Sequence, residues 1–227
     1  MKTLGAQLAA RESGEPEKRF LIGDDQVLTY AEAGAAANRL ARHMMERGVQ
    51  PGDLIAVMLP RSPAAVLVYL AAARCGAIPY PLSHLAPPER LAAVVRDYPA
   101  RIICIHHAHE EKVGGYLQAC APDMARIVSG EGGTDTLQRL FATGSCAPPS
   151  VTVTEDQVCY LNFTSGSTGR PKAARATHAN LYWNTRAAVE VFSITSEDIH
   201  LPLFAVHSHP HEMFCRALYT GGATVLH

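Results

Sequence analysis

The chain has 227 residues, 48% hydrophobic and 18% charged, which is the composition of a globular protein with one large domain or two small ones. Its formal net charge of −1 excludes a whole-chain field that attracts nucleic acid or an anionic membrane, and its longest apolar run, residues 64–73, has about half the length of a membrane span. Six scattered cysteines without a C-x-x-C pair, and a first segment that lacks a signal-peptide pattern, favour a reduced protein in the cytoplasm.

Helices and strands are predicted to alternate along the first part of the chain. Thr29 and Glu32 form a T-x-x-E capping box, apolar residues then recur at helical spacing, and Gly48 ends this first helix. The alternation continues with strands in DLIAVML, AIPYPL, RIICI and ARIVS, and with helices in SPAAVLVYLAAARCG, PPERLAAVVRDY and EEKVGGYLQACA. The strands are continuously apolar, which is typical of strands covered on both faces.

A segment rich in Gly, Ser, Thr and Pro, residues 129–150, is predicted to be a long loop or linker. The alternation then resumes with strands in QVCYLNF, KAARAT, DIHLPLF and ATVLH, and with helices in HANLYWNTRAAVEVF and near HEMFCRALYTGG. Strands and helices at this interval predict an α/β fold, with mostly parallel βαβ layers and helices on both faces.

The loop between QVCYLNF and KAARAT, residues 164–172, has a composition that suits a polyphosphate ligand. Gly166 and Gly169 permit positive φ and close approach of the backbone, whose N–H groups can form an anion-binding nest. Four hydroxyl groups add neutral donors, Pro171 stiffens the exit, and Lys172 supplies a point charge.

Two other structures are alternatives to a phosphate-binding loop here. A Walker A loop requires a lysine followed by Ser or Thr and then a helix, whereas Lys172 precedes a strand-like segment. A plain Gly/Ser hairpin that links two strands is as good an interpretation of the bare composition, because turn residues cluster at hairpins.

The string YLNFTSGSTGRPKAARATHANL strongly resembles the phosphate-loop signature of the adenylate-forming, or AMP-binding, enzymes. That superfamily includes acyl-CoA synthetases, adenylation domains of nonribosomal peptide synthetases and luciferases. Residues 164–172 match the signature position by position, His178 and Asn180 match its continuation, and Ala173 stands where glycine is usual. Residues 28–91 and 201–226 resemble the regions before and after the loop in this family.

The resemblance implies a reaction in which a carboxylate attacks the α-phosphorus of ATP, pyrophosphate leaves, and a thiol takes the acyl group from the acyl-adenylate. The thiol belongs to coenzyme A or to a phosphopantetheine on a carrier protein, and Mg²⁺ accompanies the nucleotide. A catalytic role is implied for Lys172, which would neutralise charge on the leaving group. Phosphate binding is implied for Thr164, Ser165, Gly166, Ser167, Thr168, Gly169 and Lys172.

The segment FAVHSHPHE contains three alternating histidines, His207, His209 and His211. On a strand they would share a face and could hold zinc, and a solvated polar loop is the other interpretation. The family resemblance instead places His207 near the acyl pocket and the triphosphate. Ala205 stands where amino-acid-activating relatives often carry an aspartate for the α-ammonium group, and this favours a simple organic acid.

Other conspicuous side chains receive structural interpretations. His106, His107 and His109 follow a strand and are predicted to lie in a solvated loop. Cys159 is predicted to lie in the core, and Trp183 is predicted to pack against the protein rather than against adenine.

The family resemblance leads us to expect that residues 1–227 are a partial N-terminal AMP-binding domain whose C-terminal lid domain is absent. The Tyr-Gly-x-Thr-Glu segment and the lid lysine of the family have no counterpart here, and a sheet that ends at ATVLH is expected to expose apolar surface. The chain is then the front of an acid–thiol ligase of the AMP-forming acyl-CoA synthetase type or of an amino-acid adenylation domain. The alternative is a truncated, non-catalytic nucleotide-binding or interaction remnant.

Overall fold

A computed structural model describes residues 2–130, 137–164, 172–204 and 206–227. The helices are α1 (Leu4–Gly14), α2 (Tyr30–Glu46), α3 (Pro63–Cys75), α4 (Pro88–Asp97), α5 (His107–Cys120), α6 (Leu137–Ala142), α7 (His178–Phe192) and α8 (Cys215–Thr220), with a 3₁₀ turn at Pro210–Met213. The strands are β1 (Arg19–Ile22), β2 (Val27–Thr29), β3 (Leu54–Met58), β4 (Ile78–Pro81), β5 (Ala100–His106), β6 (Ala125–Ser129), β7 (Val158–Thr164), β8 (Lys172–Thr177), β9 (Ile199–His200) and β10 (Ala223–Val225).

A parallel sheet with the strand order β4-β3-β5-β6 forms the centre of the fold. Alternate residues of its strands enter two separate cores, because successive side chains on a strand point to opposite faces. Ile55 and Ile102 pack with α1, α2 and α3, whereas Ala56 and Ile103 pack with α4 and α5. Helices therefore cover both faces of a parallel sheet, which confirms the predicted fold class.

The first predicted helix forms as expected. Thr29 Oγ1 accepts a hydrogen bond from the backbone N–H of Glu32, and the Glu32 carboxylate accepts one from the backbone N–H of Thr29, so the capping box is complete. Leu40 and Met44 of α2 are fully buried, and Gly48 adopts a φ of +85° just after the helix.

A second sheet has the strand order β2-β1-β10-β9, and its last two pairings are parallel. Strand β10 lies between two neighbours, and Thr224 and Leu226 are buried. The apolar surface that was expected from a sheet ending at ATVLH therefore does not lie on ATVLH itself. Exposed large apolar side chains lie instead at the end of α7 and along the segment that starts with β9: Val191, Phe192, Ile199, Leu201, Leu203 and Phe204.

Strands β7 and β8 pair antiparallel, with Thr164 opposite Lys172. Two strands joined by a loop were predicted here, and the antiparallel pairing makes them a hairpin, since a parallel pairing needs a crossover of about a dozen residues or more. Strand β7 also contacts β4, so the hairpin lies beside the parallel sheet.

Several boundaries differ from the sequence-based predictions. Helix α1 and strand β1 were not anticipated, and helix α6 interrupts the segment that was predicted as a continuous loop. Helix α5 begins at His107 because the His106 side chain acts as its N-cap, and strand β9 ends before Pro202, which cannot donate to a ladder. Within the described part of the chain, no helix combines the length and apolarity that crossing a bilayer requires.

Candidate functional site

The predicted phosphate loop connects β7 to β8. Lys172 begins a strand rather than a helix, and its side chain is exposed, so the Walker A arrangement is excluded for this lysine. The register places the backbone of Thr164 opposite that of Lys172. The predicted phosphate-binding residues Ser165, Gly166, Ser167, Thr168 and Gly169 lie outside the described residues, as do Arg170 and Pro171.

The base of this hairpin is fixed by aromatic contacts with the parallel sheet. The Phe163 ring meets the rings of Tyr80 and Tyr98 edge to face, at centroid distances of 5.5 Å and 5.0 Å. Tyr98 Oη accepts a hydrogen bond from the backbone N–H of Ala173 at 3.2 Å, and Tyr80 Oη donates to the carbonyl oxygen of Tyr98 at 2.9 Å. Both ends of the loop are therefore attached to β4 and to the end of α4.

Ala173 occupies the position where the signature usually has glycine. Its backbone N–H is bound by Tyr98, and its methyl group packs against the core on the α4–α5 side of the sheet. Alanine is therefore accommodated at this position by an ordinary strand conformation and a packed side chain.

The segment after β9 is tied to β7 by side-chain hydrogen bonds. The Asn162 amide donates to the carbonyl oxygen of Ser208, and Tyr160 Oη lies 3.0 Å from His211 Nδ1. Burial lowers the pKa of His211, and the nearby Glu212 carboxylate opposes this shift. The strand that leads into the phosphate loop and residues 206–211 therefore form one connected unit.

The connection continues into α8. Glu212 Oε2 pairs with Arg216 Nη2 at 2.6 Å, and Arg216 Nη1 lies 3.2 Å from His200 Nε2. These polar groups are largely shielded from water, with side-chain exposures of 12% for Glu212 and 19% for Arg216. A network of this kind can hold the segment in one position because each group restrains the next.

His207 lies on the wall of a cavity of about 340 Å³ beside Phe163. Most of the wall is apolar and comes from the β4–α4 loop and α4, and Arg90 adds a charged group. Partial burial and the neighbouring His84 lower the pKa of His207. That this cavity is the acyl pocket predicted beside His207 stays a prediction, and Ala205 lies outside the described residues.

The zinc interpretation of the alternating histidines is not supported. Among the described residues, no group of three or more His, Cys, Asp or Glu side chains is arranged to hold a metal ion. His209 packs its ring against Phe204 at a centroid distance of 5.3 Å, while His211 turns toward Tyr160.

The continuation of the signature has a structural role at the start of α7. Thr177 and Asn180 form a capping box, with hydrogen bonds of 3.1 Å in both directions. The buried His178 accepts a hydrogen bond at Nδ1 from the backbone N–H of Leu4 at 3.3 Å, and burial lowers its pKa to about 4. His178 is therefore neutral near pH 7 and joins α1 to α7. Only the contact with α1 reveals this role, and the sequence pattern did not.

The remaining interpretations are partly confirmed. Cys159 is buried, as predicted. Trp183 is 48% exposed, and the cationic groups of Lys2 and Arg186 each lie 5.2 Å from its ring. The prediction that His107 and His109 lie in a loop is wrong, since both are in the first turn of α5.

A family model described as "AMP-binding enzyme" matches residues 8–227 of the chain. The chain belongs to the AMP-binding enzyme family. The matched residues include β7, β8 and the segment between them, so the phosphate-loop signature lies within its family context.

Similar proteins include CoA ligases and peptide synthetases. The chain is 31% identical over 228 residues to feruloyl-CoA synthase from an Amycolatopsis species, covering 99% of this chain and 44% of the relative. It is 34% identical over 178 residues to the nonribosomal peptide synthetase sidE of Aspergillus fumigatus, covering 78% of this chain and 8% of the synthetase. This AMP-binding chain thus spans less than half the length of the curated relatives it matches.

The fold also agrees with solved structures. The anthranilate CoA ligase AuaEII in complex with anthranoyl-AMP superimposes with a TM-score of 0.92 at 19% identity, covering 99% of this chain and 45% of the ligase. At this identity the likeness establishes the fold alone.

Proposed function

We propose that this AMP-binding enzyme activates a carboxylic acid with ATP to form an acyl-adenylate, as part of an acid–thiol ligase. The observation that carries the proposal is the match of residues 164–172 to the family signature, at a hairpin whose two ends are fixed by Tyr80 and Tyr98. The family match and the CoA ligases among the relatives support the same reaction class.

In the proposed reaction, a carboxylate oxygen attacks the α-phosphorus of ATP, the bond to the β-phosphate oxygen breaks, and pyrophosphate leaves. Backbone and hydroxyl donors of residues 164–169 would hold the β- and γ-phosphates, and the Lys172 ammonium would offset charge on the departing pyrophosphate. Mg²⁺ would enter with the nucleotide. A thiol of coenzyme A or of a carrier-bound phosphopantetheine would then attack the acyl carbon, and AMP would leave.

The cavity beside Phe163 supports a proposal for the class of acid. Its wall is mostly apolar, and Arg90 and His207 are the groups that could meet a carboxylate or another polar substituent. Ala205 brings no carboxylate to the segment that could pair with an α-ammonium group. We therefore propose a small organic acid without an α-amino group.

We further propose that residues 1–227 form the front of a longer N-terminal domain. The coverage of 44% of feruloyl-CoA synthase supports this, since a relative of that length carries further residues that could complete the nucleotide site. On its own, the 227-residue chain is expected to bind ATP weakly and to activate no acid, because missing contacts remove orienting constraints.

The test is acid-dependent ATP–pyrophosphate exchange across a panel of aromatic, aliphatic and α-amino acids. A longer protein that contains this chain should exchange with one or more acids that lack an α-amino group, while the 227-residue chain should not. ATP binding without exchange by the longer protein would favour the non-catalytic remnant. Robust exchange by the short chain would contradict the proposed division.

A further inference from the structure

Four histidines gather at the carboxyl edge of the parallel sheet, and the proposed adenylation assigns them no role. His84 lies in the β4–α4 loop, His106 ends β5, and His107 and His109 lie in the first turn of α5. The rings of His84 and His109 stack at 4.4 Å with an interplanar angle of 7°. His106 lies 4.5 Å from His107 and 5.8 Å from His109 between ring centroids. We call these residues the histidine cluster.

The histidine cluster occupies the place where open α/β sheets bind ligands. Strand β3 leads into α3 on one face of the sheet, whereas its neighbour β5 leads into α5 on the other face. Ligands bind outside the carboxyl ends of strands at such a topological switch point. His106 and His107 lie at the end of β5, and His84 reaches the same place from the far side of β3.

The backbone leaves room for these rings. Gly130, just after β6, has a φ of +93°, and a Cβ atom there would lie 2.4 Å from His107 Nδ1 and 3.4 Å from His106 Nε2. A side chain at position 130 would therefore displace the cluster. The Nδ1 atoms of His107 and His109 are buried without a hydrogen-bond partner, which is unfavourable for a polar group.

The charges around the cluster favour an anion over a cation. Of the two carboxylates that follow His109 on α5, Glu110 pairs its Oε1 with Arg126 Nη1 at 2.6 Å, and Glu111 is exposed to solvent. Lys112 adds positive charge from α5, Arg90 lies on α4, and His207 faces His84 from the segment after β9. The stacked rings of His84 and His109 direct their faces, rather than their nitrogen lone pairs, toward each other, so they are not arranged to share a metal ion. Among the described residues, no group of three or more His, Cys, Asp or Glu side chains is arranged to hold one.

We propose that the histidine cluster binds one phosphate-type oxyanion and takes up a proton when it does so. Each neutral imidazole offers one N–H donor, and each imidazolium offers two. Partial burial and mutual repulsion lower the pKa of His106 and of His109, so these rings are neutral near pH 7. An oxyanion favours the charged form and raises those pKa values again. Affinity therefore increases as the pH falls.

The test is calorimetric titration of sulfate, a tetrahedral oxyanion that stays doubly charged over the pH range used, into the 227-residue chain carrying Lys172→Ala, which separates the cluster from the proposed phosphate loop. Binding should tighten about tenfold from about pH 8 to about pH 6, and the heat should vary with the ionisation enthalpy of the buffer. His84→Gln and His109→Gln should each weaken binding at the lower pH severalfold and together abolish the pH dependence. His227→Gln, an exposed site outside the cluster, is the matched control. Circular dichroism checks the fold of each variant.

Two further arms identify the source of the phosphate. Tighter binding of coenzyme A than of dephospho-coenzyme A, lost in the double variant, would assign the oxyanion to the 3′-phosphate of a thiol acceptor. Failure of both compounds to displace inorganic phosphate would assign it to a free phosphate. Binding that is unchanged in the double variant, or independent of pH, would overturn the proposal. So would saturable Zn²⁺ binding that competes with phosphate, because it would make the cluster a cation site.

Discussion

His178 provides a stability switch that can be worked out from the structure. Its imidazole is buried, with 2% of its surface exposed, and its Nδ1 accepts the backbone N–H of Leu4 across the α1–α7 contact. Protonation at Nδ1 removes the acceptor and places a charge in the core. Acidification should therefore weaken the attachment of α1 to α7.

The size of the effect follows from the pKa of His178, which is about 4 in the folded chain against 6.5 for an unperturbed histidine. The unfolded chain binds the proton more readily, so the stability that neutral His178 contributes is fully present above about pH 6.5 and is lost as the pH falls toward 4. Between about pH 7 and about pH 4.5, the loss from this single group is about 2.5 kcal/mol.

The assay is urea unfolding of the wild-type chain and of His178→Asn at a series of pH values. Asparagine places Oδ1 where Nδ1 lies, so it keeps the acceptor for Leu4 but does not titrate. Over the same pH interval, the free energy of unfolding of the variant should fall by about 2.5 kcal/mol less than that of the wild type. This difference holds even if the two proteins differ in stability near pH 7. Other histidines with lowered pKa contribute equally to both proteins. Parallel pH profiles for wild type and His178→Asn would refute the reasoning.

Three further perturbations have expected outcomes. Tyr98→Phe leaves the Ala173 N–H unpaired and should lower the free energy of unfolding by about 1 kcal/mol. Tyr116→Phe, at an exposed tyrosine, should leave the free energy of unfolding unchanged. Equal effects of the two substitutions in urea unfolding would contradict the anchoring role of Tyr98. Tyr30→Phe removes a buried hydroxyl that lies 2.9 Å and 2.8 Å from two carbonyl oxygens, and it should cost about 1–2 kcal/mol in the same assay. The exposed apolar side chains of residues 191–204 should make the 227-residue chain associate, and light scattering should show less association after Leu203→Ser; a monodisperse monomer at high concentration would count against this.

The parallel sheet could be predicted because its signals are local. The continuous apolar run of β3 and the capping box at Thr29 each depend on residues close together in sequence, and both form as predicted. The predicted phosphate loop was likewise located from one short string, and the two strands that were predicted on either side of it are present as β7 and β8.

The missed features depend on contacts between distant residues. Helix α1 buries few large side chains of its own, chiefly Leu4 and Leu8, and is held by Arg11, whose Nε donates to the carbonyl oxygen of Leu218. The neighbours of β10 are strands far apart in the sequence, so its buried position could not be inferred from its own residues. The same holds for the histidine cluster, whose members come from two separate segments of the chain.

The central claim is that Lys172 acts in acid activation, and pyrophosphate exchange driven by the cognate acid tests it most directly. In a longer protein that contains this chain, Lys172→Ala should lower the exchange rate by about a hundredfold, since one charged donor at such a site contributes on the order of 3 kcal/mol. Lys172→Arg retains the positive charge, so its exchange rate should fall by less than that of Lys172→Ala. An exchange rate for Lys172→Ala within about threefold of the wild-type rate would contradict the account, because it corresponds to a loss of less than about 1 kcal/mol of transition-state stabilisation.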